Sequence, residues 1–189
     1  MEANQPHINN LLDRCKKSDS KAQLEIYNCY YRAMYNSAHR ILKDDFEAED
    51  IMQEAFLTAF TKLKMYKGEV AFGAWLKRIV INKSLTQLKK NKRYNDVKMK
   101  LIINEEVDVE EEELDFSGLQ AKQVIEALNR LKENYRVVLT LHFIEGYDYD
   151  EISEIVNISN ENVRTIMSRA KKKIKYLLFE EPELRTYEK

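Results

Sequence analysis

The sequence predicts an all-α protein of two small helical domains joined by an acidic linker, and three observations carry that expectation. The 189 residues hold only four Gly and two Pro, where average usage gives about 23 of the two types together. Both prolines, Pro6 and Pro182, sit near the ends, so hairpin-rich folds, Gly-rich nucleotide loops and Pro-rich linkers become poor candidates. Apolar residues recur at alternating three- and four-residue steps, the period of a helix face. Charge is segregated: residues 1–95 carry +6, residues 96–117 carry −7 and residues 118–189 balance to zero.

A short helix opens the first domain with Ile8, Leu11 and Leu12. Ser20 and Gln23 have the spacing of a capping box for the next. Its stripe is Leu24, Tyr27, Tyr31, Met34, Ala38 and Ile41. Asp44 or Asp45 can cap a helix from about Phe46 to Tyr66, with Met52, Phe56, Ala59 and Leu63 inward. Gly68 breaks the pattern, and a long helix from Phe72 buries Trp75, Leu76, Ile79 and Val80. Trp75 has the spacing of a core residue rather than of a base-stacking platform.

The segment from 96 to 117 includes the run Glu110 to Glu113. A block of like charge repels itself and buries little, which marks an exposed linker. Beyond Gly118, Val124, Leu128 and Leu131 mark one helix, and Tyr135, Val138, Leu139 and His142 a second, ended by Gly146. Asp148 and Glu151 form a capping box for a short helix with Ile152 and Ile155 inward. Val156, Asn157, Ile158 and Ser159 follow; Asn tolerates positive φ, Ile158 can plug the core, and Ser159 is a good N-cap. A long last helix then completes a helix-turn-helix. On a wheel of about 100° per residue, Val163, Ile166, Met167, Ala170, Ile174, Leu177 and Leu178 share one face. Arg164, Thr165, Ser168, Arg169, Lys171, Lys172 and Lys175 share the other.

Basic charge is concentrated twice. Lys77 to Arg93 carries seven basic residues and no acid, and Arg164 to Lys175 carries six and no acid. One basic stretch per domain suits two contacts with one polyanion, although charge alone fits two solvated helix faces equally well. Cys15 and Cys29 are isolated, as expected of reduced thiols rather than of a disulfide or zinc framework. No apolar run reaches the roughly 18–20 residues of a membrane span, and the polar N-terminus lacks a signal-peptide core. A cytoplasmic protein without membrane insertion is expected.

The string Glu47-Ala48-Glu49-Asp50-Ile51-Met52-Gln53-Glu54-Ala55-Phe56, then Gly68-Glu69, then Phe72-Gly73-Ala74-Trp75-Leu76-Lys77-Arg78-Ile79 and Asn82, resembles the promoter-melting domain of bacterial sigma factors. The similarity is greatest to the extracytoplasmic-function (ECF) type. The stretch from Glu145-Gly146-Tyr147 through Ile158-Ser159 to Val163-Arg164 and Ser168-Arg169-Ala170 resembles the fourth domain of the same family. The resemblance runs from about Ile8 to Leu178. It implies a non-catalytic subunit that binds RNA polymerase core, recognises −10 and −35 promoter elements, requires no cofactor or metal, and has an anti-sigma partner.

By position, the resemblance assigns Asp50, Gln53 and Glu54 to the polymerase-binding surface, and Phe60, two turns further, can add an apolar anchor to it. Lys67, Gly68, Glu69, Val70, Ala71, Asn82, Lys83, Lys89 and Lys90 fall where the −10 element is read. Arg164, Thr165, Ser168 and Arg169 fall on the −35 element, with Lys171 and Lys172 against phosphates. The acidic linker matches a segment threaded through polymerase channels. Four positions depart from the pattern: Val156-Asn157 replaces Leu-Gly in the turn, Lys132-Glu133-Asn134 replaces a proline, Ile166 stands where a basic residue is common, and Gly73 where Arg or Ser is. Two other readings use fewer of these features. A freestanding helix-turn-helix regulator leaves Asp50, Gln53 and Glu54 without a role, and a metal-dependent hydrolase built on Glu47, Glu49, Asp50 and Glu54 lacks a nearby His, since His7, His39 and His142 are scattered.

Overall fold

The computed structural model describes residues 5–95 and 121–180, all in helices and short connections without a strand. Two compact units, residues 1–98 and 99–189, make up the chain. The acidic linker and Gly118 lie outside the described residues.

In the first unit, α1 (Gln5–Cys15) buries Ile8, Leu11, Leu12 and Cys15. α2 (Ser20–Leu42) is capped by Asp19, whose carboxylate accepts from the backbone N–H groups of Lys21 and Ala22. The expected Ser20–Gln23 capping box is therefore displaced by one residue. A carboxylate is the stronger acceptor, and Arg14 holds it in place with Nε 2.9 Å from Oδ2. The Ala22 N–H and Arg14 lower the Asp19 pKa from its ordinary value of 3.8. A depressed carboxylate stabilises the fold above its unfolded pKa, so this cap weakens as pH falls through the folded value.

The phase of α2 also differs from the predicted stripe. Leu24 is 60% exposed, while Ala22 and Ile26 are buried and Tyr27 and Tyr31 are half-buried. Met34, Ala38 and Ile41 are buried as expected. Lys43, at φ 61°, ends α2 and returns its N–H to the His39 carbonyl. Asp44 then caps α3 (Asp45–Thr61) by accepting from the Glu47 N–H. α3 stops five residues short of the predicted Tyr66, and Leu63 is buried from a 3₁₀ turn at Leu63–Met65 instead. Fully buried Ala48, Ala55 and Ala59 let α3 lie close against its neighbours.

α4 (Phe72–Asn95) packs on both α2 and α3. Leu76 and Val80 are buried, whereas Trp75 and Ile79 are half-buried on its flank. Gly73 lies close against α2: a Cβ there would stand 2.7 Å from Cε1 of Tyr30, so a side chain at this position would need that ring to shift.

The second unit begins with α5 (Ala121–Arg130) and α6 (Glu133–Leu139), the latter running into a π-helical turn at Thr140–Ile144. Six consecutive residues, Arg136 to Leu141, are buried. Gly146, at φ 82°, redirects the chain. α7 (Tyr149–Val156) opens with the predicted capping box, Asp148 Oδ1 accepting from the Glu151 N–H at 2.8 Å and Glu151 Oε2 from the Asp148 N–H at 2.9 Å. Asn157 takes φ 59°, and Ser159 caps α8 (Asn160–Lys175). Ile158 is half-buried rather than a core plug. Val163, Met167, Ala170 and Ile174 face inward, joined by Leu177 and Leu178 from a following π-helical turn; Ile166 is half-buried.

The left-handed conformation at Asn157 sets a test of the turn. Asn157→Gly should leave the thermal stability of the second unit within about 0.5 kcal/mol of the parent, since Asn already tolerates this region. Asn157→Val should lower it by about 1–2 kcal/mol, because a β-branched residue is strained at positive φ. Circular dichroism melts of the three proteins read the difference.

Candidate polymerase and nucleic-acid surfaces

The buried stripe of α3 decides which side chains its opposite face presents. Taking Asp50 as zero on a wheel of 100° per residue, the core positions Ala48, Met52, Ala55 and Ala59 centre near 170°. Glu54 and Leu57 then fall close to Asp50, with Gln53 to one side. All four are exposed, Leu57 by 68%. Gln53 Nε2 donates to Glu49 Oε1 at 3.2 Å. Phe60 falls near 280° by the same count, on the flank shared with Phe56. It is half-buried with its ring 6.1 Å from that of Phe56, part of the packing. Leu57, which the sequence reading passed over, joins Phe46 (83% exposed, near 320° by the same count) as an apolar group on the acidic face. Its signal was its spacing, seven residues beyond Asp50 and three beyond Glu54.

Glu47 faces the other way. Its carboxylate accepts from the side-chain amides of Gln87 and Asn91 at 3.2 Å and 2.9 Å, which straps the start of α3 to the end of α4. Glu47 thus serves this strap, and among the described residues no His, Cys, Asp and Glu group can hold a metal ion.

The connection from Tyr66 to α4 is shaped by one glycine and one local bond. Gly68 takes φ 79°, and the Tyr66 hydroxyl donates to the Val70 carbonyl at 2.6 Å. Lys67, Gly68, Glu69, Val70 and Ala71 are all exposed, with Lys67 Nζ 3.9 Å from Glu69 Oε1. Beside this loop an open groove of about 700 Å³ lies between α3 and α4. Asn82, Lys83, Thr86 and Lys90 supply its polar wall from α4, Trp75 and Ile79 its apolar wall, and Glu54, Thr58 and Lys62 its opposite edge. The structure thus brings Asn82, Lys83 and Lys90 together. Lys67 to Ala71 and Lys89 stand outside the groove's lining. Trp75 stacks toward Tyr66 and Phe72, with ring centroids 5.3 Å and 5.7 Å away, while its remaining edge faces the groove. Thr86, one turn beyond Asn82, is among the groove residues that sequence reasoning missed, with Thr58, Lys62, Met65 and Gln87.

One contact crosses this groove. Lys83 Nζ lies 3.0 Å from Glu54 Oε2, with the side chains 29% and 60% exposed. The resemblance placed these two residues on different surfaces, and the fold pairs them.

On α8, Arg164 and Lys172 are exposed and Thr165, Ser168, Arg169 and Lys171 are half-buried along the outward face. The Thr165 hydroxyl donates to the Glu161 carbonyl at 3.0 Å. Lys171 Nζ sits 5.9 Å from the Phe143 ring centroid, and Arg164 Cζ 5.4 Å from that of Tyr149. Arg164 Nε donates to Asn160 Oδ1 at 2.8 Å. Tyr149 and Asn160 were not singled out from sequence. Their signal is positional, because each opens a capped helix.

Both units match known families. Residues 26–94 match the family described as Sigma-70 region 2, and residues 121–174 match Sigma-70, region 4. The ECF RNA polymerase sigma factor SigW of Bacillus subtilis is 28% identical over 184 aligned positions, covering 89% of this chain and 95% of SigW. The ECF RNA polymerase sigma-E factor of Escherichia coli K12 is 27% identical, covering 87% and 90%. Among solved structures, the sigma factor RpoE of Bartonella quintana, crystallised with the anti-sigma factor NepR, superposes with a TM-score of 0.56 at 21% identity, over 82% of this chain and 94% of that one. CnrH in complex with the cytosolic domain of CnrY gives 0.56's near equal, 0.53, at 20% identity over 89% and 94%. Those two likenesses establish the shared fold. With both sigma regions present in order, and with relatives aligned along nearly their whole length, the chain belongs to the sigma-70 family as an ECF-type RNA polymerase sigma factor.

Proposed function

We propose that this sigma factor docks on core polymerase through the exposed α3 face of Asp50, Gln53, Glu54 and Leu57, and reads its promoter through two separate basic surfaces. The observation that carries the reading is the pairing, in one chain, of an acidic helix face on the region 2 unit with a capped, basic helix-turn-helix on the region 4 unit. Carboxylates on an exposed helix face complement a basic partner helix and steer its approach. The α4 groove offers what an unstacked base requires: an amide at Asn82 for a base edge, an apolar wall at Trp75 and Ile79, and cations at Lys83 and Lys90 for the backbone. The loop Lys67 to Ala71 and Lys89 extend this −10 surface beyond the groove.

On α8, Arg164, Thr165, Ser168 and Arg169 are placed to meet base edges of the −35 element, and Lys171 and Lys172 its phosphates. No described helix is long and apolar enough to cross a membrane; it is the proposed action on promoter DNA that places the protein in the cytoplasm. The complex of RpoE with the anti-sigma factor NepR supports an anti-sigma partner for this chain. A freestanding regulator would have no use for the α3 face, so the polymerase-dependent reading is preferred. Catalysis is not part of the proposed role.

The acidic face is tested by measuring core affinity and run-off transcription with purified components. Replacing Asp50, Gln53 and Glu54 together by Ala should weaken core binding at least about tenfold, or ~1.4 kcal/mol, while both units keep their helical signal. Full core affinity in that variant would remove the assignment.

Leu57 and Phe60 separate contact from packing. Leu57→Ser should weaken core binding with little change in melting temperature. Phe60→Ala should destabilise the first unit, by about 1–3 kcal/mol for a half-buried aromatic. The reverse pattern would restore Phe60 as the anchor.

For the −35 surface, sequencing transcripts made by the holoenzyme on genomic DNA supplies the promoter consensus. Arg164→Ala should then cost about 1–3 kcal/mol at a single base position.

A further inference from the structure

In the second unit, a chain of side-chain contacts runs from the start of α7 to the outward face of α8. Asp150 and Tyr149 are the first two residues of α7, and Asn160 is the first of α8. Asp150 Oδ1 accepts a hydrogen bond from Asn160 Nδ2. Asn160 Oδ1 in turn accepts from Arg164 Nε at 2.8 Å. Tyr149 places its ring 5.4 Å from the Arg164 guanidinium carbon, within the range of a cation–π contact. The ring is backed by His142 at 5.1 Å, and His142 Nδ1 donates to the Tyr147 carbonyl at 2.9 Å.

The chemistry of the three polar groups leaves one consistent arrangement. An ionised Asp carboxylate only accepts, and a guanidinium only donates. An amide between them must turn its nitrogen to the carboxylate and its oxygen to the arginine. Asp150 therefore orients Asn160, and Asn160 with Tyr149 orients Arg164. An exposed arginine without such contacts samples many rotamers and loses them on binding, so restraint beforehand favours the bound geometry. With Nε donated to Asn160, contact of Arg164 with a base edge falls to its Nη groups.

We propose that Asp150, Asn160 and Tyr149 are positioning residues that preset Arg164 for one base pair of the −35 element, so that part of the promoter specificity resides in side chains that read no base. The inference rests on the assignment of Arg164 to a base edge, and its test separates the two. The helix-turn-helix then acts as a unit, in which the first helix sets the aim of the second.

The test uses the full-length protein assembled with core polymerase and a library of promoters carrying every base at each −35 position. Arg164→Ala should flatten the preference at one position, and Asn160→Ala and Tyr149→Leu should each reduce that same preference about three- to tenfold while leaving other positions unchanged. Asp150→Ala should have a similar but smaller effect. Tyr149→Phe keeps the ring face and should restore the parental preference, which separates ring contact from general damage; circular dichroism confirms folding in each case. If Arg164→Ala alters one position while Asn160→Ala and Tyr149→Leu lower all promoters equally, the positioning role is overturned and base reading stands. If Arg164→Ala itself lowers all promoters equally, Arg164 contacts phosphate and both readings fall.

Discussion

Burial of one face of each helix is the constraint from which the rest follows, since an amphipathic helix that seats its apolar stripe has no choice about what it shows to solvent. In α3, Ala48, Met52, Ala55, Phe56 and Ala59 go inward, and Asp50, Glu54 and Leu57 are turned outward as a consequence. In α8, burial of Val163, Met167, Ala170 and Ile174 turns out Arg164, Ser168 and Lys171. The alanines matter as much as the large side chains. Ala48, Ala55 and Ala59 allow α3 to approach α2 and α4, and Gly73 does the same where α4 meets Tyr30.

That close approach brings Glu54 of the acidic face and Asn82, Lys83 and Lys90 of the basic one to opposite edges of one groove. Glu54 and Lys83 meet across it. An ion pair this exposed contributes at most about 1 kcal/mol, so it organises charge more than it stabilises. Its consequence is that a partner engaging Glu54 also changes the field felt at Lys83. The second unit uses an analogous economy: the contacts around Arg164 are made by residues that open the two helices of the turn.

Much of the layout was legible because the determinants are local. The Asp148–Glu151 capping box, the positive φ at Asn157 and the Ser159 cap depend on residues within a few positions of one another, and each forms as its spacing implies. The errors arise where neighbours in space decide. Leu24 fits a helical stripe but is exposed, because α2 rotates to bury Ala22 and Ile26 against its partners. The Ser20–Gln23 box gives way to Asp19 because Arg14, across the preceding turn, favours the carboxylate. Phe60, expected to add an apolar anchor to the acidic face, packs beside Phe56 on its flank.

By itself the sequence determined the helical class, most helix starts and stops, the family resemblance and the two concentrations of basic charge, since periodicity, capping and composition act over short distances. Tertiary structure alone decided that Phe60 packs beside Phe56, that Asn82, Lys83 and Lys90 share a groove while Lys89 does not, and that Arg164 is held by Asn160 and Tyr149. Each of these depends on the rotation of one helix against another, a quantity set by how side chains from distant parts of the chain pack together.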